Sequence, residues 1–402
     1  MAEPAFPIEV VGQLEVERRV HGEAPRLSQP KEIAHFSKGR AGVTFDRSGL
    51  ATYREPAVPA DLNVGFDLFS DRDRSNPYPA PLGNILASLE HHGQSSVLDE
   101  PSFVSFRGNI AKLLLAPYND RDEWRIEAER HGSTVFLNVT EPPSELRRAA
   151  ADAKDNRKRA MQYWGFAFEE LCSASGAGLR LGIDSTEGFN SVAVTTIGEH
   201  RLVIASEVDC ERAGEARGGR GGSAGPSGAS PMSRYMELKT SRLMDTPRQV
   251  ENFEKHKLIK WWAQSYPAGV GSILVGFRDD DGFVQKLQEL QTAKLPRYVA
   301  GKRGAWDPHV CLAFLDRALT WLRSHLEGAP RGRRLRMEYC PARRKGLLLL
   351  VQDPAIPPFV GNGLPGVALY GPGSPANDSN DDLEEHLGGR EAKRHKGSEG
   401  CS

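Results

Sequence analysis

This sequence predicts an α+β fold with a mixed β-sheet core flanked by helices. Three observations carry that expectation. Short apolar runs alternate like strands, longer stretches rich in Ala, Arg, Lys and Glu suit helices, and no regular strand–helix–strand rhythm signals a doubly wound parallel sheet.

The elements follow in chain order. Residues 1–30 are mixed in character and contain prolines, so a loosely ordered N-terminal segment is expected there. Residues 31–370 read as a single domain whose texture becomes clearly globular from Phe103. RGNIAKLLLAPYN suits a helix ending near Pro117, and STVFLNV (Ser133 to Val139) alternates like a strand. ELRRAAADAKDNRKRAMQYWGFAFEELC reads as one long helical stretch, broken at most near Gly165. SVAVTTIG and HRLVIASEV are strand-like and joined at Gly198-Glu199, a turn signal. The glycine-rich stretch within 212–232 cannot pack a core and should form a flexible loop. YMELKTS resumes as a strand, VENFEKHKLIKWWAQSY as a helix and GSILVGF as an apolar strand. A helix from His309 to Glu327 and strands at Leu335 to Tyr339 and Gly346 to Val351 complete the ordered part. Residues 371–402 have the composition of a disordered tail.

Composition narrows the function classes. Of 402 residues, 39% are hydrophobic and 26% charged, enough for a sizeable core. A formal net charge of −1 excludes a global basic field, so a nucleic-acid role would need a local groove. The five cysteines are dispersed without CxxC pairing, which argues against a disulfide framework and a cysteine zinc site and for a reducing compartment. The longest apolar run, Leu347 to Val351, is far too short to span a bilayer, so no membrane partner is expected.

Two strand-like runs carry charge. Side chains alternate along a strand, so Glu207 and Asp209 of SEVDC share one face, as do Glu237 and Lys239 of YMELKT. A hairpin around the glycine-rich loop would make the runs neighbours and bring three carboxylates and one ammonium together. Such a cluster is costly unless a counter-ion neutralises it, and a divalent cation with oxygen ligands does so. Taken alone, each tripeptide also suits a solvent-facing edge strand, and the residues leave both readings open. Glu169, ending the aromatic segment YWGFAFE, could supply another carboxylate. Lys257, Lys260 and Gln264 fall on one face of a regular helix, able to track a phosphate backbone or simply to face solvent. Arg107 opens a helix, where an anion would also meet free backbone N–H groups.

The series SFRGN, WGFAFEE, SEVDC, YMELKTS and KLIKWWAQSYPAGVGSILVGFRDDDGFV resembles the decapping exoribonuclease (DXO) family, from about Phe103 to Trp306. The resemblance implies a PD-(D/E)xK-nuclease-like core and a metal-dependent hydrolase acting on the 5′ end of RNA. Its implied substrates are incomplete or non-canonical ends (an unmethylated cap, 5′ triphosphate or pyrophosphate, an NAD cap), with degradation of the RNA 5′ to 3′ in mRNA quality control. It implies two Mg²⁺ or Mn²⁺ ions held by Glu169, Asp209, Glu237 and the carbonyl of Leu238, with Glu207 reaching metal or substrate. Lys239 and Gln264 would contact the scissile phosphate and attacking water, while Phe106, Arg107 and Gly108 would line the path of a single RNA strand. Asn190 falls where the family touches substrate. Two departures stand out: Ala167 where the family usually has Lys, expected to alter local electrostatics, and Ser206 where Gly is usual. The alternative reading is a weakly catalytic stabilising partner of a nuclear 5′–3′ exoribonuclease. Together with the basic tail cluster EAKRHKG, the resemblance favours a nuclear location, with the cytoplasm also open.

Overall fold

The computed structural model describes residues 8–39, 41–69, 82–173, 187–213, 231–327, 333–343, 346–356 and 359–360. Most of the glycine-rich loop, the tail at 371–402 and EAKRHKG lie outside these residues. The strands are β1 (Glu9–Glu15), β2 (Lys31–Gly39), β3 (Gly42–Thr44), β4 (Ala60–Asp61), β5 (Ser102–Phe106), β6 (Trp124–His131), β7 (Thr134–Thr140), β8 (Gly188–Ile197), β9 (His200–Val208), β10 (Cys210–Glu211), β11 (Tyr235–Arg242), β12 (Ser272–Arg278), β13 (Phe283–Gln291), β14 (Arg334–Tyr339) and β15 (Leu347–Gln352). The helices are α1 (Leu82–His91), α2 (Arg107–Leu115), α3 (Pro143–Asp152), α4 (Asn156–Ser173), α5 (Pro247–Asn252), α6 (Ile259–Ser265), α7 (Leu295–Val299) and α8 (Pro308–Leu326).

Among the described residues the strands form two mixed sheets. Ten run in the order β1-β15-β14-β6-β7-β5-β9-β8-β2-β3, and five in the order β10-β11-β12-β13-β4. Parallel pairing of β5 with β7 and β9, and of β11 with β12, makes both sheets mixed. Apolar faces set the layers. Leu82, Ile85 and Leu89 of α1 cover one face of the larger sheet at Val104, Phe136 and Val203. Its other face, with Ile126, Leu137 and Leu202, packs on α2, α6 and α8, and the same cluster includes Ile273, Val275 and Phe277 of β12. Tyr163, Trp164 and Phe168 of α4 close the far face of the smaller sheet on Met236, Leu238 and Leu274.

Several expectations are corrected here. The N-terminal segment is not loose throughout, because β1 pairs antiparallel with β15 at the edge of the larger sheet. The long helical stretch is two helices, α3 and α4, divided by a turn well before Gly165. Asp155 causes the division, because its Oδ1 accepts the backbone N–H of Arg157 at 2.9 Å and of Lys158 at 3.2 Å, capping α4. SEVDC and YMELKT do not form one hairpin: β9 stays in the larger sheet, and only β10 pairs with β11. The expected β8–β9 turn does form, with Gly198 at φ +54°, a left-handed conformation suited to a two-residue hairpin.

Candidate active site

The charged residues collect where the chain crosses from one sheet to the other. Asp209 is the single residue between β9 and β10, and its Oδ2 accepts the backbone N–H of Leu238 at 2.6 Å. A carboxylate thereby continues the ladder of β11 where β10 ends. Along β11 the pleat sorts side chains. Met236 and Leu238 enter the apolar cluster beneath α4, whereas Glu237, Lys239 and Ser241 lie level with Ile273, Val275 and Phe277 on the face toward α2 and α6.

Glu237 is the centre of the site, with its side chain 1% exposed. Arg107, the first residue of α2, donates to both carboxylate oxygens, at 2.6 Å and 3.0 Å. Lys239 Nζ stands 2.6 Å from Glu237 Oε1 and 4.0 Å from Asp209 Oδ2. Phe106 precedes α2 in extended conformation with no side-chain cap, so first-turn N–H groups remain available near Arg107. Gly108 faces open space: a Cβ there would meet nothing within 4 Å.

Burial and charge divide the acids. Burial opposes ionisation of Glu237, but Arg107 and Lys239 outweigh it and hold its carboxyl at about 2. Burial, then repulsion from Glu237, pushes Asp209 up to about 7. Burial and Asp209 raise Glu169, on α4, well above the usual carboxylate range. Burial opposes protonation of Lys239 and Arg107, yet the acids around them keep both charged. The pocket therefore contains more acid than its two cations neutralise, which pushes Asp209 and Glu169 toward their protonated forms.

The other expected residues take several positions. Glu207 is exposed at the rim on β9, directly opposite Asn190 of β8, and so shares its face. Asn190 is 2% exposed, and its Nδ2 has no hydrogen-bond partner among the described residues. Gln264 is half-buried in α6, outside the hydrogen-bonded cluster. The expected cationic stripe is divided. The segment Phe253–Leu258 is a π-helical turn, so regular helical spacing fails, with Lys260 meeting Asp122 at 3.0 Å while Lys257 reaches Ser241. Ala167 is buried in the apolar cluster between α4 and the smaller sheet.

Sequence reading missed a polar network that seats β11. The Tyr235 hydroxyl donates to Glu32 Oε2 at 2.5 Å and accepts from Arg47 at 2.8 Å, and Ser191 donates to the same Glu32 oxygen at 2.7 Å. Arg47 also pairs with Glu32. These residues are widely separated in the chain and form no local motif.

A family model described as RAI1-like PD-(D/E)XK nuclease matches residues 28–360. The chain belongs to that family. It is 32% identical to a human decapping and exoribonuclease protein over 317 residues, covering 75% of this chain and 76% of that relative. It is 30% identical over 340 residues to a decapping nuclease RAI1 of Aspergillus fumigatus, covering 80% and 87% respectively. Among solved structures, Schizosaccharomyces pombe Rai1 in complex with 3′-FADP superposes with a TM-score of 0.69 at 27% identity, covering 85% of this chain and 99% of that one. Glu237 and Lys239 lie within the residues that this nuclease family model matches, and the α+β expectation holds.

The donor set suits a hard divalent cation, since Glu169, Asp209, Glu237 and the Leu238 carbonyl offer only oxygen. Among the described residues no three acidic, His or Cys side chains form a ready-made metal cage. Glu237 instead turns both oxygens to Arg107 and Lys239. The excess acid nevertheless fits a cation, because added positive charge would let Asp209 and Glu169 ionise.

Proposed function

We propose that this protein is a metal-dependent hydrolase of RNA 5′ ends, removing incomplete or non-canonical caps and degrading the strand behind them. One observation carries the reading: Glu237 and Lys239 stand side by side on one strand face, with the Asp209 carboxylate bound to the peptide between them. That pattern in a nuclease-family chain, with decapping nucleases among its relatives, favours phosphate-ester and pyrophosphate chemistry over a purely structural role.

In this reading Glu169, Asp209, Glu237 and the Leu238 carbonyl would hold Mg²⁺ or Mn²⁺, with Glu207 reaching in from the rim. When bound, such ions supply Lewis acidity and a water of lowered pKa. The chain's own groups do the rest. Lys239, kept charged by Glu237 and Asp209, offers N–H donors to a non-bridging phosphate oxygen. Arg107 and the first-turn N–H groups of α2 form a second anion contact beside it. Gly108 leaves room for the strand to pass, and Asn190 and Gln264 complete the wall. Contacts of this kind fall on phosphate and sugar, so sequence preference should be slight and salt dependence marked.

The test is product analysis on RNAs bearing a triphosphate, an unmethylated cap, a methylated cap or an NAD end, with Mn²⁺ and with chelator. Release of 5′ products that stops on chelation is expected. A lack of chelator-sensitive product from every substrate would refute the hydrolase and leave a binding partner in its place.

A further inference from the structure

We propose that Lys257, seated on Ser241, holds the phosphate next to the one that is cleaved. This inference rests on the RNA-hydrolase reading and extends its substrate groove by one position.

The first support is position. Ser241 follows Glu237 and Lys239 on the same face of β11, two residues beyond the lysine. Steps of two residues along a strand advance about 6.6 Å, comparable with the spacing of successive phosphates in an extended single strand. Lys257 Nζ donates to Ser241 Oγ at 3.1 Å, which places an ammonium one such step from the reacting centre.

The second support is charge. Lys257 is exposed, its Nζ rests on the buried Ser241, and no carboxylate lies within ion-pair distance of it among the described residues. Nearby lysines differ: Lys260 pairs with Asp122 and Lys302 with Glu254. Burial depresses the Lys257 ammonium, Arg278 depresses it further, and no acid counters them. An ammonium set on a hydroxyl with no acid beside it is free to meet an anion. A substrate phosphate would supply the missing anion.

The third support is the backbone. The π-helical turn Phe253–Leu258 interrupts an otherwise regular helix at this lysine and turns it out of line with Lys260. Such wide turns recur at functional sites, where they re-aim a side chain.

The neighbouring phosphate has two sources: the terminal phosphate on the 5′ side, or the next linkage on the 3′ side. The experiment separates them. Short oligoribonucleotides with 5′-hydroxyl, 5′-monophosphate and 5′-triphosphate ends, and with one linkage at a time replaced by an uncharged methylphosphonate, are cleaved by wild-type, Lys257→Met and Lys257→Arg proteins. Lys257→Met should lower kcat/KM about ten-fold or more, chiefly through KM, and Lys257→Arg should recover most of the loss. Neutralising one phosphate adjacent to the scissile linkage should cost the wild type a similar factor and the Met variant almost nothing, and its side names the source. Full activity in Lys257→Met, or a loss equal for every position neutralised, would overturn the proposal and leave Lys257 as a strut for β11. Wild-type protein that cleaves none of these substrates would instead refute the hydrolase reading beneath it.

Discussion

Replacing Glu237 with Gln keeps the shape of the site and removes its central charge. The side chain is 1% exposed and receives Arg107 at 2.6 and 3.0 Å and Lys239 at 2.6 Å. Breaking a buried pair by removing one partner costs about 3–5 kcal/mol. Part of that is returned, because Asp209 loses a repulsive neighbour, releases its proton and becomes the new counter-ion for Lys239. A net loss of about 2–3 kcal/mol follows, or roughly 3–5 °C in Tm at about 1–2 °C per kcal/mol for a domain of this size. The pH dependence gives a second signature. Asp209 has a folded-state pKa of about 7 against an ordinary 3.8, so the stability linked to its proton is complete below about 4 and lost as pH rises toward 7. In Glu237→Gln the decline between pH 4 and 7 should flatten, because its second cause is gone. Calorimetric melts in chelator across this range test both effects, and Arg107→Met added to Glu237→Gln should recover stability by removing the stranded guanidinium. An unchanged Tm with an unchanged pH slope would show that this ion pair does not organise the site.

Three further outcomes follow from the same geometry. Mn²⁺ affinity, measured by titration calorimetry, should rise at least about ten-fold per pH unit below 7 as Asp209, and Glu169 with it, give up their protons, and a flat profile would remove both from the ligand set. Deleting residues 215–229 should leave Tm within about 2 °C and RNA cleavage intact, because Arg212 N–H already meets the Arg234 carbonyl at 3.0 Å and a short turn can join the ends. Gly276→Ala would place a Cβ 2.6 to 3.0 Å from the Phe168 ring and press on α4 just before Glu169. About 1–3 kcal/mol of stability should be lost, along with cleavage activity, as read by melting and single-turnover assays.

Local signals located most of the apolar elements but missed those with buried charge. GSILVGF and LLLLV read as strands because both faces are covered. β6, WRIEAERH, did not, since Glu127, Glu129 and His131 are buried there, and Glu129 and His131 partner each other. β1 went unseen because a strand at a sheet edge needs little apolar content, and only pairing with β15 reveals it. In the site, Glu237 and Lys239 were legible because alternation along a strand is a local rule. Arg107's role was not, since nothing in SFRGN says that the guanidinium meets a carboxylate 130 residues later.

By itself, the order of residues determined the mixed α/β character, the E-x-K on one strand face and the family likeness, all of which depend on short-range periodicity and spacing. Tertiary structure alone decided that Asp209 bridges two sheets rather than lining a hairpin. It also decided that Ala167 is buried among apolar side chains and that Lys257 leaves the helical stripe to stand beside Ser241. These outcomes depend on which surfaces the layers bring together and on one widened helical turn. Burial in that arrangement turns three ordinary acids into a pocket short of positive charge.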